Sequence, residues 1–173
     1  GGDKGFFRSQ AQTHIANALE MLFELRRPVT LSGVFELLSN PGLLADEMAN
    51  LSILLETPRR VAVVAHFANR FFTQPEEQLG GVRETIGNYL QYFVTPEVAE
   101  VFCADYSSFD FPAIDQGKII LTTMPQKFQT ERRYGNTFLK LLYYNHALRR
   151  FDQTKAQPCE DNLLNLCAEQ AHR

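Results

Sequence analysis

Residues 57–72 read Thr-Pro-Arg-Arg-Val-Ala-Val-Val-Ala-His-Phe-Ala-Asn-Arg-Phe-Phe, and this stretch decides the fold class. Threonine is a good helix cap, and proline fits the first helical position, where its missing N–H is not needed. Behind Thr57 and Pro58, the residues Val61, Val64, Ala65, Ala68, Phe71 and Phe72 recur at spacings of three and four. That spacing predicts a helix central to a hydrophobic core.

Toward the N-terminus the same pattern repeats. Ala11, Ile15, Ala18, Leu19, Leu22 and Phe23 mark a helix over residues 9–27, with Ser9 as cap and Pro28 as stop. Thr30 precedes a short helix carrying Leu31, Val34, Phe35 and Leu38, the turn Ser39-Asn40-Pro41-Gly42 closes it, and a third helix runs from about Leu43 to Leu55. Toward the C-terminus, Thr73 and Glu76 fit a capping box for a helix reaching Val94 despite Gly80, Gly81 and Gly87. Thr95-Pro96-Glu97 opens a short helix with Val98, Val101 and Phe102.

The pattern changes after Ser107. Residues 107–112 are loop chemistry, Asp115-Gln116-Gly117 is a turn, and Lys118 to Met124 reads as a short strand ending at Pro125. A long helix follows over residues 130–151, with Tyr134, Phe138, Leu141, Leu142, Asn145 and Leu148 on one face. After a polar loop over residues 153–161, the run from Asn162 to Cys167 reads as a second short strand or a helical turn. The fold class expected is mainly α: a multi-helix bundle over residues 1–113, then a strand-helix-strand piece over 114–173. Parallel strands need neighbours and cover on both faces, so the second part reads as a portion of a larger α/β domain.

The composition fits an ordinary globular chain: 173 residues, 45% hydrophobic and 21% charged. Seventeen basic against twenty acidic residues give a net charge of -3, so no global positive field draws nucleic acid or anionic lipid, and either role needs a local patch. Charged residues interrupt every apolar run before it could span a bilayer, and Gly1-Gly2-Asp3-Lys4-Gly5 is no signal peptide, so a cytoplasmic chain is expected. Three cysteines without a C-x-x-C pair agree with a reducing compartment. Both ends look cut, and the chain is expected to be a fragment and a monomer.

Catalytic patterns are absent. The Gly117-Lys118 pair lacks the upstream glycine and following Ser/Thr of a phosphate-binding loop, and reads as a turn. Cys159, Cys167 and His172 match no zinc spacing. No hydrolase elbow appears, and His14, His66 and His146 sit inside helical patterns. Asp105, Asp110 and Asp115, set among Ser, Pro and Gly, read as turn residues.

Four arginine pairs, Arg26-Arg27, Arg59-Arg60, Arg132-Arg133 and Arg149-Arg150, are the strongest charged feature. Arg26-Arg27 and Arg149-Arg150 fall at predicted helix C-termini, where a cation offsets the helix dipole. Arg59-Arg60 falls at a helix N-terminus, where cations are disfavoured, and so has the better claim to an anionic partner, with Arg70 and Arg83 behind it.

The order of these segments resembles the coupling-protein ATPases of conjugation and type IV secretion, the TraG/TraD-like branch of the FtsK/HerA motor superfamily. Phe6-Phe7-Arg8-Ser9-Gln10-Ala11 is similar to the start of the all-α insert in those motors, and Pro28 to Leu38 to its short second helix. Phe109-Asp110-Phe111 and Asp115 to Leu121 look like the return into the RecA-like motor domain, and Leu141 to Arg150 like the helix beyond. Asn162 to Ala171 lies where the family's Walker B strand ends in Asp-Glu-Ala-Gln.

The resemblance implies a hexameric parent that uses ATP and Mg²⁺ at the cytoplasmic face of the inner membrane. Its all-α domain would receive DNA or relaxosome protein for a secretion channel, with Arg59, Arg60, Arg70 and Arg83 as contact residues. Two departures stand out. No Walker A motif is present, and the Asp-Glu pair is replaced by Glu169-Gln170, a degenerate Walker B in which the water-polarising acid is a neutral amide. This chain alone is therefore expected to be non-catalytic and to hold no cofactor. The alternative is a stand-alone helical adaptor that binds a protein partner without a motor.

Overall fold

Three polar residues start the helices of the first half. Thr30 Oγ1 accepts from the Gly33 N–H at 3.0 Å, Asn40 Oδ1 from Gly42 and Leu43 at 3.1 and 3.2 Å, and Thr57 Oγ1 from Arg60 at 3.3 Å. Each satisfies a backbone donor that the first turn of a helix leaves without a partner. Asn40 does double duty, since its own N–H caps the preceding helix at Glu36 O.

A computed structural model describes residues 2–54, 57–123 and 125–153. Six helices form the first unit, which runs to Ser108: α1 (Gly2–Glu24), α2 (Leu31–Ser39), α3 (Pro41–Ile53), α4 (Pro58–His66), α5 (Glu76–Leu90) and α6 (Pro96–Phe102). A π turn, Phe67–Phe71, extends α4, and a 3-10 turn, Gln91–Phe93, follows α5. The second unit begins at Phe109 and contains α7 (Pro112–Asp115) and α8 (Gln129–Gln153). The described residues are mainly helical, and none of their helices is long and apolar enough to cross a membrane.

In the first unit α1 is the axis, packed by α5, α2, α4 and α3. Ala11, Ala18, Met21 and Leu22 of α1 meet Val34, Leu37 and Leu38 of α2, Leu44 and Leu51 of α3, and Val82, Ile86 and Leu90 of α5 in one core. Val63, Phe67 and Phe71 complete it. This differs from the predicted stripe: Val61 is 50% exposed, Phe72 41%, and Ala68 is exposed. The buried set is spaced by four, because the π turn, closed by the Phe72 N–H on Phe67 O at 3.0 Å, widens the helix just there.

Other boundaries moved for local reasons. α1 begins at Gly2, so Ser9 lies inside the helix and its carbonyl accepts from Thr13. Phe23, predicted on the core face, is 61% exposed. The capping box at Thr73 does not form, since its hydroxyl turns back to Asn69 O at 2.6 Å and Glu76 starts α5 behind Pro75. Gly81 of α5 lies tight against α1: a Cβ there would stand 2.8 Å from the Phe7 ring.

In the second unit Gly117, at φ 78°, closes α7. The Lys118 N–H reaches Ala113 O and the Gly117 N–H reaches Ile114 O, the paired bonds of a Schellman motif. Residues 118–123 form no strand, and no strand occurs among the described residues. A strand needs a neighbour to take up its backbone groups, and here Ile119 and Leu121 are 89% and 85% exposed. The face of α8 predicted to be apolar carries Tyr134, Phe138, Leu141, Leu142 and Leu148, all exposed, whereas Tyr143 is buried. The second predicted strand, Cys159, Cys167, His172, Glu169 and Gln170 lie outside the described residues.

Candidate functional site

The C-terminal end of α1 and the first turn of α4 bring two arginine pairs together. α1 ends in a Schellman motif, with the Arg27 N–H on Leu22 O at 2.9 Å and the Arg26 N–H on Phe23 O at 3.0 Å. The residue at the turn is Arg26, at φ 55°, a position usually held by glycine. Left-handed backbone costs a non-glycine residue on the order of 1–2 kcal/mol. A cation at a helix C-terminus returns only about 0.3–1 kcal/mol, and Arg27 beside it already supplies one.

Across the groove, Thr57 and Pro58 set α4 so that Arg59 and Arg60 occupy its first turn. They meet Glu20 and Glu24, one helical turn apart on α1. Arg60 Nε donates to Glu24 Oε2 at 2.8 Å, with both side chains largely shielded. Arg59 Nε stands 2.6 Å from Glu20 Oε1, but the angle is not that of a hydrogen bond, and the arginine is mostly solvated. These carboxylates answer the unfavourable dipole at the α4 N-terminus. Arg27 is similarly held, 3.3 Å from Glu47. Between the two ends lies an open groove of about 440 Å³, lined by Phe23, Glu24, Arg26, Arg27, Val29 and Arg60.

Arg70 and Arg83 belong to a second cluster, farther toward the N-terminal half of α1. There His14, fully buried, shares a 2.9 Å hydrogen bond between its Nδ1 and His66 Nε2, while its own Nε2 has no partner. The ring stands edge-on to Phe71 at 5.0 Å, and the Arg83 guanidinium lies over that same Phe71 ring, 5.8 Å from its centroid. Burial, then His66 and Arg70, pushes His14 down to about 4, and burial with Arg70 lowers His66. Both rings are therefore neutral near pH 7. No third metal donor joins the pair among the described residues, and the two rings pack α1 against α4.

Glu20 and Glu24 are six and ten residues beyond His14, which on a helix is roughly 9–15 Å along the axis. So the four predicted contact residues split into Arg59 and Arg60 at one end, and Arg70 and Arg83 at the other. Sequence reasoning passed over Arg26 and Arg27, which a helix dipole accounts for. The readable signal was that both pairs border a proline, Arg26-Arg27-Pro28 and Pro58-Arg59-Arg60. In the second unit, His146 Nε2 meets Asp115 Oδ2 at 3.0 Å and stacks on Phe111, so Asp115 ties α7 to α8. Cys103, a free thiol, donates to Phe93 O at 3.5 Å.

Comparison with protein-family models, with curated proteins and with solved structures yields no match to this chain.

Proposed function

We propose that this chain is the all-α recognition domain of a coupling-protein-like ATPase, together with part of its motor domain. In this reading it receives DNA or relaxosome protein at the cytoplasmic face of the inner membrane and passes it to a secretion channel. The observation that carries it is the gathering of Arg26, Arg27, Arg59 and Arg60 at one end of an otherwise acidic chain, where four cations face the three carboxylates of Glu20, Glu24 and Glu47 and leave a local positive excess for an anionic partner. The uncovered apolar face of α8 supports a second unit built to pack within a larger α/β domain, where Lys118–Met124 would find strand neighbours. In the hexameric parent ATP and Mg²⁺ would be held through a Walker A motif that these residues do not contain, beside Glu169 and Gln170 at the degenerate Walker B position.

The test is fluorescence anisotropy with single- and double-stranded DNA across a salt series. Binding should weaken as salt rises, weaken further in Arg59→Ala/Arg60→Ala, and strengthen in Glu20→Gln/Glu24→Gln, which releases both arginines from their carboxylates. Absence of binding at low salt removes DNA as the ligand and leaves relaxosome protein.

A further inference from the structure

We propose that the groove between the end of α1 and the start of α4 is a docking site for an acidic, apolar-bearing segment of a partner protein, with Arg26 as its anion-binding group. The inference rests on the recognition reading above and names the partner's chemistry. Arg26 sits at a backbone angle that favours glycine, and among the described residues its guanidinium has no hydrogen bond or ion pair. Strained residues persist where their side chains are used, and an unoccupied guanidinium offers a planar fork that fits one carboxylate.

The rest of the groove defines what accompanies that carboxylate. Phe23 and Val29, 61% and 47% exposed, provide an apolar floor beside Arg26. Its volume of about 440 Å³ suits a few side chains. Charge complementarity favours a short acidic peptide over a polyphosphate. Arg27 and Arg60 are already matched by Glu47 and Glu24, Arg59 by Glu20, and a DNA backbone laid along this edge would meet those three carboxylates as well.

The experiment uses the whole 173-residue chain and two probes, a fluorescein-labelled peptide alternating glutamate with leucine and a labelled single-stranded DNA, with a lysine-leucine peptide as control. Arg26→Gly is informative because glycine suits the turn: its Tm should stay level or rise by up to roughly 2–4 °C, while affinity for the acidic peptide falls roughly tenfold. Phe23→Ala, at an exposed position, should also weaken the peptide several-fold without lowering Tm. Peptide affinity unchanged in both variants overturns the proposal. DNA binding that needs Arg26, with no peptide binding, overturns it but leaves DNA recognition standing, and failure of both probes to bind overturns it together with the recognition reading.

Discussion

His14 Nδ1 lies 2.9 Å from His66 Nε2, a hydrogen bond that joins the middle of α1 to the last turn of α4. One ring must donate and the other accept, so the pair works only while at least one ring is neutral. Arg70 opposes a positive charge on either ring, and Arg83 lies over the Phe71 ring that His14 touches, so the surroundings disfavour a further cation.

The first prediction concerns pH. The unfolded chain protonates His14 near pH 6.5, whereas the folded one resists until about pH 4. The unfolded state therefore binds the extra proton, and the stability present above pH 6.5 is lost progressively as pH falls toward 4, by roughly 3 kcal/mol from His14. The lowered His66 acts in the same direction. Urea midpoints measured from pH 7 to pH 4 should fall on this path, and His14→Gln should flatten it. A wild-type profile already flat across that window would refute the buried neutral pair.

The three glycines of α5 should behave differently. Gly80 and Gly87 have open space where a Cβ would go, so alanine there should stabilise by about 0.5–1 kcal/mol through helix propensity. At Gly81 the new methyl would meet the Phe7 ring at 2.8 Å, and the same gain should be cancelled or reversed. In a Phe7→Ala background Gly81→Ala should become stabilising, which a double-mutant cycle by thermal denaturation reads directly.

The caps give a third contrast. Asn40→Ala removes a side chain that accepts two first-turn N–H groups and should cost about 1 kcal/mol. Thr73→Ala, whose hydroxyl bonds back to Asn69 rather than forward to α5, should cost less. Equal losses in the two variants would indicate that Thr73 does cap α5 in solution.

The core face of α4 provides the fourth. Phe67→Ala and Phe71→Ala, both fully buried, should each lose about 3–5 kcal/mol. Val61→Ala, half exposed, should stay within about 0.5 kcal/mol. A large loss at Val61 would restore the face that spacing by three and four suggests.

Much of the helical unit was legible because its starts are written in side-chain chemistry. Thr30 and Thr57 cap as their residue types and spacing predict, and Thr95-Pro96 opens a helix as expected, although the Thr95 hydroxyl turns to Tyr92 O instead. What was not legible depended on contacts distant in sequence. Nothing near Arg59 and Arg60 announces Glu20 and Glu24, and no residue pattern reports that Arg26 turns left-handed. The strand expected from Lys118 shows the same limit, since β-branched residues state a preference that only a neighbouring strand can realise.

The π turn of residues 67–71 has a geometric consequence. Four residues of a regular α-helix sweep about 40° past a full revolution, so Val63, Phe67 and Phe71 on such a helix would fan through about 80°. The wider turn takes back part of that sweep and lines the three up against α1. One extra residue thus acts as a phase correction, and the widened turn absorbs it. Deleting any one of residues 68–70 would leave Val63 and Phe71 seven residues apart, about 20° short of two full turns, so the segment can relax to a regular α-helix with both side chains still on the core face.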